Sequence, residues 1–354
     1  MPAPTESPLP NDVSTDSRAA VDEGAAASAT SPARSARRLP EFFIIGHEKS
    51  GTTALYEMLR RHPQIFMPDL KEPRFFMRDA ASRAPAGKGV RPRTLADYLA
   101  LFAAASPEQR AGEASPQYIR SPDAARRIAE LQPDARIIAL LREPTSFLRS
   151  YHLENLASAI ESERDLRKAM ALEERRRHGD AIPRGCEAPD RLLYSEHVRY
   201  VEQLRRFHAV FPRERVLPLI YDDFRRDNVG TVGEVLRFLE VDDSLPLEPV
   251  EVPGAKRRGV RFMSLHHATR AMKRARHNPA KAGRLSRSVS ALAGGLLGSP
   301  RVVRTWRRVV YSVPAAPDEQ FLLELRRRFK PEVVALSEYL ERDLVTLWGY
   351  DRIS

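Results

Sequence analysis

One stretch limits this chain more than any other: Phe42-Phe43-Ile44-Ile45-Gly46-His47-Glu48-Lys49-Ser50-Gly51-Thr52-Thr53-Ala54-Leu55. The apolar run Phe42–Ile45 has the length of a fully buried strand. Gly46–Thr53 reads as a loop, and Ala54–Arg61 as the helix it opens. A buried strand feeding a glycine-containing loop that opens a helix aims backbone N–H groups and a positive helix end at one point, which makes an anion site. Gly46 and Gly51 let the backbone pass close to the anion, and Lys49 adds a formal charge. Ser50, Thr52 and Thr53 add hydroxyl donors, and His47 is expected to line the same loop.

The order of residues narrows the kind of anion. In nucleotide triphosphatases the lysine follows the second glycine, as Gly-Lys-Ser/Thr. Here Lys49 precedes Gly51 and no lysine follows it. The next strong strand, Arg136–Leu141, ends in Arg142 rather than in the aspartate that holds Mg²⁺ in those enzymes. A nucleotide or small-molecule kinase using this loop for ATP is therefore the first rival reading, and a Mg²⁺ requirement would favour it.

Beyond the loop, strands and helices alternate. Pro122–Leu131 and Ser146–Ala159 read as helices, Tyr194–Phe211 as a longer amphipathic helix, Val216–Ile220 as a strand and Val229–Leu239 as a helix. Asp318–Phe329 and Pro331–Leu344 read as two helices, the second opened by Pro331 at a tolerated first-turn position. This alternation predicts an α/β, P-loop-like, three-layer fold with a central parallel sheet flanked by helices. Residues 1–38, rich in Ala, Ser, Pro and Asp, cannot bury enough apolar surface to offset their ordering entropy and are expected to be a disordered tail. Residues 39–354 then form one domain with a basic, partly helical insertion at about 255–317.

Composition excludes several functions. A single cysteine, Cys186, rules out an internal disulfide framework and a cysteine-rich metal site. It lies in a Gly/Pro-containing stretch and is expected to be inert. No His/Cys/Asp/Glu cluster has metal-ligand spacing, so no metal is expected. No run approaches the ~20 apolar residues that span a bilayer. Arg37-Arg38 before Phe42–Ile45 superficially suggests an export signal, but the apolar stretch is far too short, and a cytoplasmic location is expected.

Gly-x-x-Lys-Ser-Gly-Thr-Thr after a buried strand resembles the 5′-phosphosulfate loop of the sulfotransferases. The match continues at Arg142-Glu143-Pro144-Thr145-Ser146-Phe147-Leu148-Arg149-Ser150-Tyr151. There the family has a strand ending in Arg, Asp/Glu and Pro, with a serine eight residues beyond the arginine. Arg142 and Ser150 match those positions, which the resemblance implies bind a 3′-phosphate. A strand-end guanidinium and a hydroxyl on the next helix can converge on one phosphate. The resemblance covers about residues 40–254 and the final helices. It is closer to bacterial and Golgi-type carbohydrate (heparan sulfate-like) sulfotransferases, because Leu70-Lys71-Glu72-Pro73-Arg74-Phe75-Phe76 carries their Glu-x-x-Phe-Phe. Glu113-Ala114-Ser115-Pro116-Gln117-Tyr118 resembles a further family segment at the substrate cleft.

The resemblance implies 3′-phosphoadenosine 5′-phosphosulfate as co-substrate and transfer of its sulfonate group to a hydroxyl on a glycan, glycolipid or small metabolite. In-line displacement at sulfur needs a base for the hydroxyl and positive charge on the leaving phosphate oxygen. Lys49 is the candidate for the charge, and Glu72 matches the family's base. His47 and His152 are rival bases, because imidazole titrates near neutrality. Arg258 and Gly259 match a basic residue and glycine that close over the 3′-phosphate in the family. Two departures bear on the acceptor: Arg74 stands where Golgi-type enzymes often have His, and Ala114 where some have Lys.

The segment 255–317 holds fifteen Lys/Arg and no Asp or Glu, whereas the rest of the chain has 43 basic against 47 acidic residues. The formal net charge of +11 comes entirely from it. Leu285, Val289, Leu292, Leu296 and Leu297 recur there at helical spacing, although Gly294-Gly295 weakens that helix. A basic helix with an apolar face suits an acidic or lipid-linked acceptor and peripheral membrane contact through residues 264–312. A solvated surface arm is the plain alternative. A non-catalytic nucleic-acid or membrane-binding module is the second rival, but it leaves both phosphate motifs without a purpose, so nucleic acid is not the expected partner.

Overall fold

The protein was analysed as a computed structural model, which describes residues 38–77, 91–184, 186, 188–245, 259–260, 311–312, 316 and 318–353. In chain order the first half forms β1 (Phe42–Gly46), α1 (Thr52–Leu59), β2 (Ile65–Phe66), α2 (Leu95–Ala100), β3 (Arg110–Ala114), α3 (Ala124–Leu131), β4 (Arg136–Leu141) and α4 (Pro144–Ala157). Then come α5 (Leu166–Ala171), α6 (Glu173–Arg177), α7 (Tyr200–His208), β5 (Val216–Ile220), α8 (Tyr221–Arg226) and α9 (Asn228–Phe238). The last elements are the short strands β6 (Gly259–Val260) and β7 (Tyr311–Ser312), followed by α10 (Glu319–Tyr339) and α11 (Leu344–Leu347).

Five strands form one parallel sheet in the order β2-β3-β1-β4-β5. Its two central strands are buried on both sides, and their side chains alternate between two cores. Phe42 and Ile44 of β1, with Ile138 and Leu140 of β4, face Leu55, Met58 and Leu59 of α1 and Val232, Val235 and Leu236 of α9. Phe43 and Ile45, with Ile137, Ala139 and Leu141, face the other core, with Phe147 and Leu148 of α4, Leu204 and Phe207 of α7, and Phe329 and Val333 of α10. The three-layer α/β fold expected from the sequence is therefore present.

Two strands of this sheet escaped the sequence reading. β3 carries the sequence Arg-Ala-Gly-Glu-Ala, with no β-branched or aromatic residue. Its place is set by tertiary packing: Gly112 pairs with Phe42 of β1, and a Cβ at Gly112 would meet the Phe42 ring at 2.3 Å. β2, two residues long, pairs with β3 at the edge.

Three further expectations are corrected. Asp318–Phe329 and Pro331–Leu344 are not two helices, because α10 runs through Pro331. Buried Phe321, Leu325, Phe329, Val333 and Leu336 keep one helical stripe across it, so packing outweighs the hydrogen bond that proline removes. Tyr194–Phe211 is a 3-10 turn, Tyr194–Val198, followed by the shorter α7. Helix α4 starts two residues early, at Pro144, because the Glu143 side chain caps it by accepting from the N–H groups of Thr145 and Ser146. Arg38, the last residue of the expected tail, donates from its guanidinium to Glu41 at 2.9 Å; the rest of that tail lies outside the described residues. Among the described residues no helix is long and apolar enough to cross a membrane.

Candidate functional site

Three chain segments leave the C-terminal ends of adjacent parallel strands and meet there: the loop after β1, the turn after β3 and the start of α4 after β4. Ligands in open parallel sheets bind at this edge.

The loop after β1 is shaped by its glycines. Gly46 has φ +130°, and a Cβ there would lie 2.2 Å from the Leu140 carbonyl oxygen of β4. Gly51, at φ +91°, precedes the first turn of α1. Lys49 takes φ +69° between them, a conformation that costs energy for a non-glycine residue. Arg142 holds it there: Nη1 donates to the Lys49 carbonyl at 2.6 Å, while Nε and Nη2 donate to Ser146 Oγ at 3.1 and 2.6 Å. The same guanidinium lies 4.5 Å from the centre of the Tyr221 ring, and Tyr200 donates to the Arg142 carbonyl at 2.8 Å. Lys49 Nζ is 3.4 Å from Glu154 on α4.

The hydroxyls differ in placement. Ser50 is fully buried and its Oγ has no hydrogen-bond partner among the described residues. Thr52 is buried in the first turn of α1, and Thr53 is exposed. Ser150 is buried on α4, one turn beyond Ser146. His47 is placed differently from the expectation. Its N–H is bonded to the Leu140 carbonyl, Nε2 is 3.1 Å from Gln203, and its ring packs on Tyr200 and Phe147. Burial pulls its pKa down to about 4, against the opposing Gln203 hydrogen bond. The neutral ring props the loop from beneath. His152 is likewise buried, with Nδ1 2.9 Å from the Tyr194 hydroxyl and Nε2 3.2 Å from the Arg164 carbonyl, and burial lowers its pKa. Both imidazole rings are buried.

Glu72 lies in the turn between β2 and α2. Glu72 and Arg74 both have positive φ, 59° and 54°, on either side of Pro73. The turn is docked on the end of β3: Glu72 N–H donates to the Ala114 carbonyl at 3.1 Å, and Arg74 N–H to Ser115 Oγ at 3.1 Å. Phe75 and Phe76 anchor it. Phe75 stacks on Tyr98 at 4.6 Å, and Phe76 packs edge-on against Phe43 and Tyr118. Glu72 remains partly exposed, with Oε1 3.0 Å from Lys71 Nζ and Oε2 bonded to Arg74. Burial would raise its pKa, but the charges of Lys71 and Arg74 outweigh that and hold it down at about 2.

The sequence reading gave no individual role to Glu48, Glu113, Gln117 or Arg191, which lie around this centre. Glu48, inside the anion loop, is 3.6 Å from Arg191 and accepts from Gln117 at 2.8 Å. Burial opposes its charge, yet Arg191, Arg120 and Arg74 together hold its pKa far below the usual carboxylate range. The available signal was the carboxylate itself, because an acid within an anion loop requires cationic partners. Glu113, at the end of β3, is fully buried and accepts from Tyr98, Tyr118 and Ser115 at 2.8, 2.8 and 2.7 Å. Burial pushes its pKa up to about 7.

Arg258 lies outside the described residues, as does nearly all of 264–312. Gly259 opens β6, which pairs antiparallel with β7 and lies against α4. Cys186 is free, and burial raises its thiol pKa. Among the described residues no group of three or more His, Cys, Asp or Glu could hold a metal ion.

Comparison with known proteins agrees with this geometry. Residues 40–244, more than half of the chain, match the family model described as "Sulfotransferase family". The chain is 30% identical over 214 residues to mouse heparan sulfate glucosamine 3-O-sulfotransferase 6, covering 60% of this chain and 54% of that protein. It is 30% identical over 249 residues to mouse carbohydrate sulfotransferase 15, covering 58% and 44%. The chain thus spans about half the length of these curated relatives. Its fold is like that of a sulfotransferase from Alicyclobacillus acidocaldarius, with a TM-score of 0.59 and 24% identity over 87% of this chain and 98% of that one. The chain belongs to the sulfotransferase family.

Proposed function

We propose that the chain transfers a sulfonate group from 3′-phosphoadenosine 5′-phosphosulfate to a hydroxyl of its acceptor by in-line displacement. The observation that carries this reading is the bond from Arg142 to the Lys49 carbonyl, because it joins both phosphate motifs at one strand edge. Lys49 and the orphaned Ser50 hydroxyl would hold the 5′ side, and Arg142 with Ser150 the 3′-phosphate. The acceptor oxygen forms a bond to sulfur as the sulfur–oxygen bond to the phosphate breaks. Lys49 offsets charge on the departing oxygen, and Glu72 takes the hydroxyl proton.

A carboxylate at about 2 is fully ionised but weakly basic. Entry of the acceptor hydroxyl at Oε1 would displace Lys71 Nζ, removing the first of the two charges that hold the group down. The names of the mouse relatives place their acceptors among carbohydrates, which supports a sugar-bearing acceptor here. The basic segment 264–312 supports an acidic or lipid-linked one at a membrane surface. Vesicle co-sedimentation with and without residues 264–312 tests the membrane contact, which is refuted if anionic vesicles take up both proteins alike.

The test of the reaction is transfer of radioactive sulfonate from the donor to a panel of glycans, glycolipids and phenols. Glu72→Gln should keep donor affinity and reduce turnover by ~10²–10⁴-fold. Near-full activity in Glu72→Gln would remove Glu72 as the base.

A further inference from the structure

Gln117 belongs to the 3-10 turn Pro116–Arg120 that follows β3, and it is 1% exposed. Its Nε2 lies 2.8 Å from Glu48 Oε1 and 3.0 Å from Glu72 Oε2. An amide nitrogen carries two hydrogens, and here each goes to a different carboxylate. This fixes the amide, because the reversed orientation would set its oxygen against both acids. The two carboxylates come from different parts of the site: Glu48 from the loop after β1, Glu72 from the turn after β2. Arg191 lies against Glu48, Lys71 and Arg74 pair with Glu72, and the charge of Arg74 acts on Glu48 as well. Glu113 is the other acid behind the turn, and its charge and that of Glu72 oppose one another. Gln117 is the buried neutral group that lets two partly buried like charges approach one nitrogen.

We infer that Gln117 is a positioning residue that couples the donor loop to the base: by binding Glu48 and Glu72 with one amide, it fixes the Oε2 edge of Glu72 against the loop and leaves Oε1 to face the acceptor. The inference rests on Glu72 being the base. It has a mechanical consequence. A ligand that moves the loop at Glu48–Lys49 moves Glu48, and the shared amide passes that displacement to the Glu72 carboxylate. Filling the donor site is thereby felt at the acceptor side with no contact between the two ligands. Leucine matches glutamine in bulk and removes both hydrogen bonds, leaving Glu48 and Glu72 without the amide that joins them.

The experiment uses the full chain with ¹³C-labelled glutamate, and the Glu72 carboxyl resonance is assigned by its loss in Glu72→Gln. Adenosine 3′,5′-bisphosphate is the probe. In the wild type, adding it should shift the Glu72 resonance. In Gln117→Leu it should still bind, within about threefold of the wild-type affinity, but the shift should vanish. Turnover in Gln117→Leu should fall by ~10-fold or more with KM for the donor little changed, the loss expected when a hydrogen bond to a charged group is removed. Glu48→Gln in the Gln117→Leu background should restore part of that turnover, because it removes one of the two like charges that the amide no longer bridges. A purely structural role would lower thermal stability and leave the resonance shift in place. The inference is overturned if Gln117→Leu keeps the ligand-induced shift, whatever its turnover, or if Glu48→Gln worsens the variant. Should Glu72→Gln remain active while the shift still depends on Gln117, the coupling stands and the assignment of the base falls.

Discussion

Arg142 Nη1 donates to the carbonyl oxygen of Lys49 at 2.6 Å, across 93 residues of chain. The strand-end arginine of one motif therefore sets the backbone of the lysine in the other, and the left-handed conformation of Lys49 depends on it. The guanidinium does this while also gripping Ser146 and lying over Tyr221. A lysine offers no such planar fork. Arg142→Lys should weaken binding of adenosine 3′,5′-bisphosphate by ~1.5 kcal/mol or more, the low end for a charged hydrogen bond. Calorimetry checks this, and unchanged affinity would mean that the arginine does not organise the loop.

Lys49 should separate chemistry from stability. Its pair with Glu154 spans 3.4 Å between partly exposed side chains, and such pairs contribute about 0–1 kcal/mol. Lys49→Ala should reduce turnover by ~10²–10³-fold and weaken donor binding, with thermal unfolding nearly unchanged. A large drop in melting temperature would assign the lysine a structural role instead.

Glu161 and Arg176 form a bidentate pair at 2.8 and 2.9 Å with almost no exposure on either side chain. Glu161 also accepts from Tyr194 and from the N–H groups of Ser162 and Glu163, so it pins the connection between α4 and α5. Arg176→Ala would leave that carboxylate buried without its cation. Denaturant unfolding should show a loss of about 3–5 kcal/mol.

Glu113 predicts a stability change with a definite sign. Its folded pKa of about 7 lies above the ordinary carboxylate value, so the folded state binds the proton more tightly than the unfolded chain. Its contribution favours folding at low pH and is lost as pH rises toward and through 7. Glu113→Gln removes the buried charge. Melting curves between pH 5 and pH 8 should fall less steeply for the variant than for the wild type, and parallel curves would contradict the account.

The loop and the strand-end arginine were legible because their chemistry is local. Gly46, Lys49 and Gly51 lie within six positions, and β1 and β4 are apolar enough to declare themselves. What stayed hidden is held by contacts distant in sequence. β3 has the composition of a polar loop and becomes an inner strand beside β1, where Gly112 admits the Phe42 ring. His47 looked like a donor ligand from its place in the loop, yet Gln203, Tyr200 and Phe147, all remote in sequence, draw its ring into the core. Gln117 and Arg191 are unremarkable as letters, and only the fold brings them to Glu48. Pro331 signals a helix start locally, whereas the buried stripe on both sides of it makes one helix.

Donor recognition is tested most directly by calorimetric comparison of adenosine 3′,5′-bisphosphate, AMP and Mg-ATP on the full chain. Lys49, Ser50 and Arg142 around one strand edge predict that the bisphosphate binds better than AMP by at least ~1.5 kcal/mol, through the added 3′-phosphate. Equal affinity for the bisphosphate and AMP, or tighter binding of Mg-ATP, would contradict a phosphosulfate donor at this loop.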